Sequence, residues 1–534
     1  MAVTGGTVDM KTAVGFPFPQ GCTVEGQTAN FSVAVPEGQT CELIIYKKGA
    51  RTSAFSQKMP YSDVAGNLHF LSVVLEQPED YEYCYKIGGK IVPDPYGKAF
   101  SGREHWSVSK GKEKRKLRTR IVTDTFDWEK SQFPHLKKED VIAYSLHVRG
   151  FTKHSSSGVA HKGTFDGVTE KLPYLQKLGI NQIHLMPVYE FDENQRHVNY
   201  WGYGKAYFFA PKASYAAGDP VNEMKSLVRQ MHLAGIEVIL EMPFTEGTTF
   251  SLILDCLRYW VMQYHVDGFI VNPYICNPDE LAKDPVLAKS KILKKEDGFQ
   301  NVMRRFLKGD EGMIWDVICQ LKNQDTQLYN YIASHNGFTL CDVVSYDGKH
   351  NEANGENNLD GPDYNYSWNC GAEGNSRKKA VNELRKNQIF NAFFLLLFAQ
   401  GMPCILSGDE FMNTQKGNNN AYCQDNLISW LDWNQLSRQE ELYTFVCRLI
   451  ALRKACMKQT AKNQKTRWAE AESLRFPIMG RMRGRCRQGV QADSLVCSIM
   501  KNVQRRTFIL HIICTGFLIH LHFLLFQKEW NGCA

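Results

Sequence analysis

Asn272 stands at the polar tip of a short apolar run that reads His265, Val266, Asp267, Gly268, Phe269, Ile270, Val271, Asn272. Such a tip is where a parallel α/β barrel presents reactive side chains, at the carboxyl ends of its strands. The group presented here is a carboxamide. It exchanges hydrogen bonds but carries no charge, so it cannot serve as the carboxylate that attacks a carbon centre and forms a covalent ester. Other groups with chemical capacity are spread along the chain: Glu241 and Glu246 around the end of the apolar run 236–244, His335 beside Asn336, and Glu296 among Lys294, Lys295 and Gly298. Trp201 and Tyr203 offer aromatic faces, which suit flat apolar surfaces on a ligand.

The elements that must position these groups follow a strand–helix–strand rhythm from residue 141 onward. Apolar runs at 141–147, 181–188, 236–244 and 266–272 read as strands, and 166–178, 221–233 and 252–264 carry helical spacing. A helix at 378–399 leads to a strand at 402–406, and a helix at 437–454 ends the unit. This is the pattern of an α/β fold, a (β/α)8 TIM barrel over 136–457. Residues 1–125 differ: short β-rich segments at 29–35, 42–46, 69–75 and 81–87, parted by Gly, Pro and Asp turns, predict an N-terminal β-sandwich.

With 534 residues, 43% hydrophobic and 12% aromatic, the chain has room for two or three domains with large cores. The net charge of +7 is mild, and its excess sits late, at Arg475, Arg481, Arg483, Arg485, Arg487, Lys501, Arg505 and Arg506. No aromatic–basic interleaving accompanies it, which argues against a nucleic-acid partner. Sixteen cysteines are scattered without a C-x2-C pair, so neither a zinc site nor a dense disulfide framework is indicated. Reduced thiols and the lack of a basic, apolar leader point to the cytoplasm.

Residues 458–534 read as an irregular tail, first basic and then apolar at 508–526, without the alternation a second sandwich would need. The apolar stretch approaches the length of a membrane span but contains His511, His520 and His522, so a C-terminal membrane tether is an alternative reading. An altered reading frame near residue 458 would produce such a shift, and translation of the nucleotide sequence in the other frames tests that.

Several motifs together carry a family resemblance. Asn199, Tyr200, Trp201, Gly202, Tyr203 precede Phe208, Phe209, Ala210, Pro211; Ser334, His335, Asn336, Gly337, Phe338, Thr339, Leu340 precede Asn354, Gly355, Glu356, Asn357, Asn358 and then Ser367, Trp368, Asn369, Cys370, Gly371. Gly408, Asp409, Glu410 and Asn418, Asn419, Asn420 complete the order. Over roughly residues 10–455 the chain resembles glycoside hydrolase family 13, the α-amylase superfamily, in its isoamylase and glycogen-debranching branch. Tyr83, Tyr85 and the run from Asp94 to Ala99 resemble the end of that branch's N-terminal carbohydrate-binding module, of the family 48 type.

The resemblance implies retaining hydrolysis of α-1,6-glucosidic branch linkages, with a nucleophile and a protonated acid about 5–5.5 Å apart. The aligned positions depart from it. In the strand-four pattern D-G-F-R-x-D, Ile270 replaces Arg and Asn272 replaces the nucleophile. The third carboxylate of H-D-G-F-T-L is Asn336, beside a retained His335. The general acid is not identified; the interval 289–299 is short, and Glu296 is its only candidate, in a setting of Lys and Gly. Where the family has D-V-V-x-N-H, this chain has Glu241, Met242, Pro243, Phe244, Thr245, Glu246. Trp201, Tyr203, Glu246 and His335 remain as substrate-binding candidates, Tyr203 as the stacking floor for a sugar.

The sequence thus predicts an α-glucan-acting protein with impaired catalysis. One alternative is a non-catalytic glucan-binding or regulatory subunit, partnered with an active debranching subunit; another is the membrane-tethered form. No organic cofactor is implied. A calcium site occurs in the superfamily, but no metal-ligand cluster can be named from this sequence.

Overall fold

The computed structural model describes residues 10–107, 116–467, 495–502, 507–514 and 517–524. Residues 10–107 and 116–121 form two facing antiparallel sheets. One orders Thr12–Ala13, Leu68–Val74, Thr28–Ala34 and Gly21–Glu25; the other is centred on Cys41–Lys47 and Tyr81–Ile87. Alternating side chains of both, among them Phe31, Val33, Leu43, Ile45, Val73, Tyr83 and Tyr85, close one apolar core. This β-rich unit is seated on the larger α/β unit C-terminal to it. Tyr96 lies against Phe209 (4.8 Å between ring centroids), Phe100 against Tyr207 (4.4 Å), and Arg120 pairs with Asp219 at 2.7 Å.

The barrel expected from the strand–helix rhythm is present. Its parallel strands are β1 (Ala143–Leu146), β2 (Gln182–Leu185), β3 (Glu237–Met242), β4 (Gly268–Val271), β5 (Lys291–Leu293), β6 (Tyr329–Asn330) and β7 (Met402–Leu406), ordered β5-β4-β3-β2-β1-β7-β6. The strands are buried on both faces, which is why they read as continuous apolar runs instead of alternating ones. Gly268 is demanded by β4–β5 pairing, because a Cβ there would meet the Lys291 carbonyl oxygen at 2.1 Å. Between β5 and β6 the chain passes through two helices with no strand between them, and one parallel bridge, Lys294–Leu328, nearly closes the ring. The short interval noted in the sequence at 289–299 lies at this seam.

The helices wrap the strands as their spacing predicts. They are α1 (Phe165–Glu170), α2 (Leu172–Leu178), α3 (Pro220–Leu233), α4 (Phe250–Tyr264), α5 (Gly298–Lys308), α6 (Ile314–Lys322), α7 (Lys379–Phe398) and α8 (Glu440–Arg467). Asp219 starts α3: its carboxylate accepts from the Val221 and Asn222 amides, and Pro220 occupies the first turn. The single helix expected over 166–178 is instead two short ones that meet at Lys171, with a proline, Pro173, in the first turn of the second.

The tail departs from the irregular segment expected over 458–534. α8 continues to Arg467, and Leu495–Asn502, Thr507–Cys514 and Phe517–Leu524 pair as an antiparallel three-stranded sheet. His511 and His520, which break the apolar run in sequence, are register partners on adjacent strands. The Arg-rich part from Arg475 to Arg487 lies outside the described residues. Among the described residues no helix is long and apolar enough to cross a membrane.

Candidate functional site

The carboxyl ends of β3, β4, β5 and β6, and one long loop, build the candidate site. Glu241 lies in β3 opposite Ile270 of β4. Asn272 directly follows β4, Lys295 follows β5, and His335 and Asn336 follow β6. The loop carrying Asn199–Tyr203 connects the hairpin strands Tyr189–Phe191 and Ala206–Pro211. Gly202 lets that loop turn: its φ is +86°, and a Cβ would meet the Phe191 ring at 2.5 Å. Asn199 holds the turn from inside, accepting from the Gly202 amide at 3.0 Å and donating to the Tyr203 carbonyl at 2.8 Å.

Tyr203 is the hub. Its hydroxyl lies 2.7 Å from Glu241 Oε1 and 2.7 Å from His335 Nε2. A phenol has one proton, so it donates to the carboxylate and accepts from a protonated Nε2, which fixes the histidine tautomer. Burial holds the His335 imidazole well below its ordinary range, and the nearby charge of Lys295 adds to the effect. Burial pushes Glu241 up, against the opposing pull of the Lys295 ammonium and the Tyr203 hydroxyl. Burial also lowers Lys295, whose Nζ lies 5.5 Å from the centre of the Tyr331 ring. Nothing in the sequence singles out Lys295 except its place next to a strand tip.

Trp201 stands edge-on to His335 (5.1 Å) and to Tyr203 (5.9 Å). Trp201, Tyr203 and Tyr422, with Asn199, Gln195, Arg196 and His197, line a pocket of about 280 Å3. A larger cleft of about 620 Å3 lies elsewhere, between Arg103 and the 245–249 loop; exposed Glu246 lines that cleft and not the aromatic pocket.

The other residues selected from the sequence take different places. Asn272 Oδ1 accepts from the Tyr274 amide at 3.0 Å, so the carboxamide caps the turn after β4. Asn336 is exposed, and its carbonyl accepts from Ser334 Oγ at 3.4 Å. Glu296 is exposed and paired with Lys294 at 2.9 Å. Ile270 is part of the barrel interior with Ile239, Leu293, Tyr329, Tyr331, Met402 and Cys404. Asp409 and Glu410 are buried braces: Asp409 accepts from the Leu340 amide at 2.9 Å and Glu410 from the Tyr144 hydroxyl at 2.7 Å.

His147, at the end of β1, supports the aromatic loop. Its ring stacks on Tyr200 at 4.1 Å, Nδ1 accepts from the Gly150 amide at 3.0 Å, and Nε2 donates to the Tyr200 carbonyl at 2.9 Å. Burial drops its pKa from 6.5 to about 4. A lowered folded-state pKa means that stability is full above pH 6.5 and is lost as pH falls toward 4, by about 3 kcal/mol for this one group. Unfolding followed against pH is expected to show that loss, and His147→Gln to flatten it by up to one bound proton. Identical slopes would show that His147 does not carry the loss.

The barrel and the arrangement at its mouth define a class, the α-amylase-type glycoside hydrolase fold. The family model for the α-amylase catalytic domain matches residues 139–246. Isoamylase 1, chloroplastic, of Arabidopsis thaliana is 31% identical over 590 residues, covering 83% of this chain and 75% of that one. The Glycogen operon protein GlgX homolog of Haemophilus influenzae is 32% identical, covering 74% and 77%. The chain belongs to the isoamylase and glycogen-debranching branch of the α-amylase superfamily. Among solved structures, pullulanase type I from Bacillus subtilis complexed with maltose shares the fold, with a TM-score of 0.65, 22% identity and coverage of 82% and 72%. A pullulanase from Paenibacillus barengoltzii complexed with maltotetraose also scores 0.65, at 21% identity, covering 82% of this chain and 81% of that one.

Proposed function

We propose that this chain binds α-glucan at the aromatic pocket and does not hydrolyse it, acting as a glucan-binding or regulatory subunit beside an active debranching enzyme. The observation that carries the reading is the set of groups at three strand tips. Asn272 and Asn336 stand at the positions where the resemblance places carboxylates, and the exposed Glu296 leaves Lys295 as the charged group near Glu241. A neutral amide cannot form a glycosyl ester, and an ammonium beside a carboxylate does not supply the paired acid and nucleophile of a retaining mechanism. The binding groups, in contrast, are intact: Trp201, Tyr203, His335 and Tyr422 are held by backbone and side-chain hydrogen bonds. The curated relatives named isoamylase and the maltose and maltotetraose complexes of the structural neighbours support α-glucan as the ligand class.

A second reading, the family reaction itself, rests on Glu241, the half-buried carboxylate that accepts from the Tyr203 hydroxyl. Retention on immobilised glycogen separates the glucan-binding claim from plain core packing. The unmodified protein is expected to be retained, and Tyr203→Ala to bind roughly tenfold more weakly through loss of the stacking face. Passage of the unmodified protein without delay, or equal retention of the variant, would count against the pocket as the glucan site.

A further inference from the structure

Glu190 and Glu193, with the Phe191 carbonyl between them, converge on the Lys212 ammonium, while Arg103 Nη1 stands at the edge, 4.0 Å from Glu193 Oε2. Lys212 Nζ lies 2.8 Å from Glu190 Oε1, 2.9 Å from the Phe191 oxygen and 2.8 Å from Glu193 Oε2. The Lys212, Glu190 and Glu193 side chains are 0%, 2% and 0% exposed. The remaining carboxylate oxygens are also engaged: Glu190 Oε2 accepts from the Ala213 amide at 2.8 Å, and Glu193 Oε1 from the Ser107 amide at 3.1 Å.

Two carboxylates and a carbonyl oxygen are the donor set that a hard divalent cation takes in proteins. Among the described residues no cluster of three or more His, Cys, Asp and Glu side chains is arranged to hold a metal ion. In this cage the centre is filled by a fixed ammonium, so a calcium ion of the kind the superfamily admits does not fit there. We infer that Lys212 is a built-in cation, doing for this chain what a bound divalent ion would do in the same oxygen cage, and that removing its amine opens a divalent-cation site made of Glu190, Phe191 O and Glu193.

The place of the cage gives it a consequence. Glu190 and Phe191 lie in the strand that enters the aromatic loop, Glu193 is just beyond it, and Lys212 follows the strand that leaves it. Both ends of the loop bearing Trp201 and Tyr203 are therefore tied by one ammonium, and the pocket stays assembled without metal. The cage does this whether or not the pocket binds glucan.

The test uses thermal unfolding and terbium luminescence sensitised by Trp106, whose ring centre is 5.7 Å from Lys212 Nζ. In the unmodified protein, neither a chelator nor millimolar calcium is expected to move the unfolding midpoint, and no Trp106-dependent terbium emission is expected. Lys212→Ala leaves two buried carboxylates facing each other. It is expected to lower the midpoint in chelator by roughly 10 °C, to regain most of that in calcium, and to show Trp106-sensitised terbium emission. Lys212→Ser, which keeps an oxygen donor in the cage, is the second variant if the first does not fold in chelator. Calcium stabilisation of the unmodified protein, or failure of both variants to gain stability or to fold in calcium, would overturn the inference.

Discussion

Purified protein is expected to release reducing ends from glycogen no faster than its own Asn272→Ala variant, and the double change Asn272→Asp with Asn336→Asp is expected to restore no hydrolysis. Loss of members of a catalytic unit is non-additive, and the first loss removes most of a rate enhancement on the order of a million-fold. Returning two carboxylates therefore recovers nothing while the third part is missing. Glu296 and Asp297, the two acids that follow β5, are both exposed; Glu296 is paired with Lys294, and Asp297 accepts from the Tyr331 hydroxyl. Ile270 also fills the barrel interior where the resemblance places an arginine. Release by the unmodified protein well above the Asn272→Ala control would show that another group has taken over, and Glu241, bonded to Tyr203, is the first to replace.

The largest expected effect on stability lies away from the mouth, at Arg453 of α8. The residue is 2% exposed, and its guanidinium donates to one carbonyl in the last turn of α7, Leu397 O at 2.7 Å, and to two in the turn before β7, Ala399 O at 2.6 Å and Gly401 O at 3.0 Å. This turn follows α7, whose last carbonyls have no helical partner, so the arginine satisfies groups that α7 leaves open. Arg453→Met leaves those carbonyls buried without donors and is expected to cost about 3–5 kcal/mol. Arg453→Lys, with a point charge in place of a planar fork, should recover only part of it. Thermal or denaturant unfolding reads the difference; a loss below about 1 kcal/mol for Arg453→Met would mean that water replaces the guanidinium.

Much of the barrel was legible because its strands are buried on both faces and its helices on one. Short continuous runs such as Phe269 to Val271, set between helical stretches, suit strands of an interior sheet, and the helical stretches at 221–233 and 252–264 fall within two residues of α3 and α4. The division of 166–178 at Lys171 was missed because apolar spacing continues across the break even though the backbone does not. In the tail, an apolar run of paired strands and a candidate span look alike in sequence until pairing places His511 opposite His520.

The candidate site was legible by halves. Motif residues such as Tyr203 and His335 could be selected from sequence, but their joining through one phenol hydroxyl could not, since they lie 132 positions apart. Lys212 was invisible as a cage ion for the same reason. A single lysine in a chain with 63 Lys and Arg carries no signal until two carboxylates and a carbonyl surround it.

The central claim is that the barrel mouth holds α-glucan without cutting it, and one measurement meets it directly. A branched maltodextrin is titrated into the protein by calorimetry, and the sugar is then recovered and its chain lengths determined. The expected result is saturable binding that Tyr203→Ala weakens, with every branch recovered intact. Recovery of debranched chains would contradict the loss of catalysis, and the absence of binding heat at any concentration would contradict the glucan site.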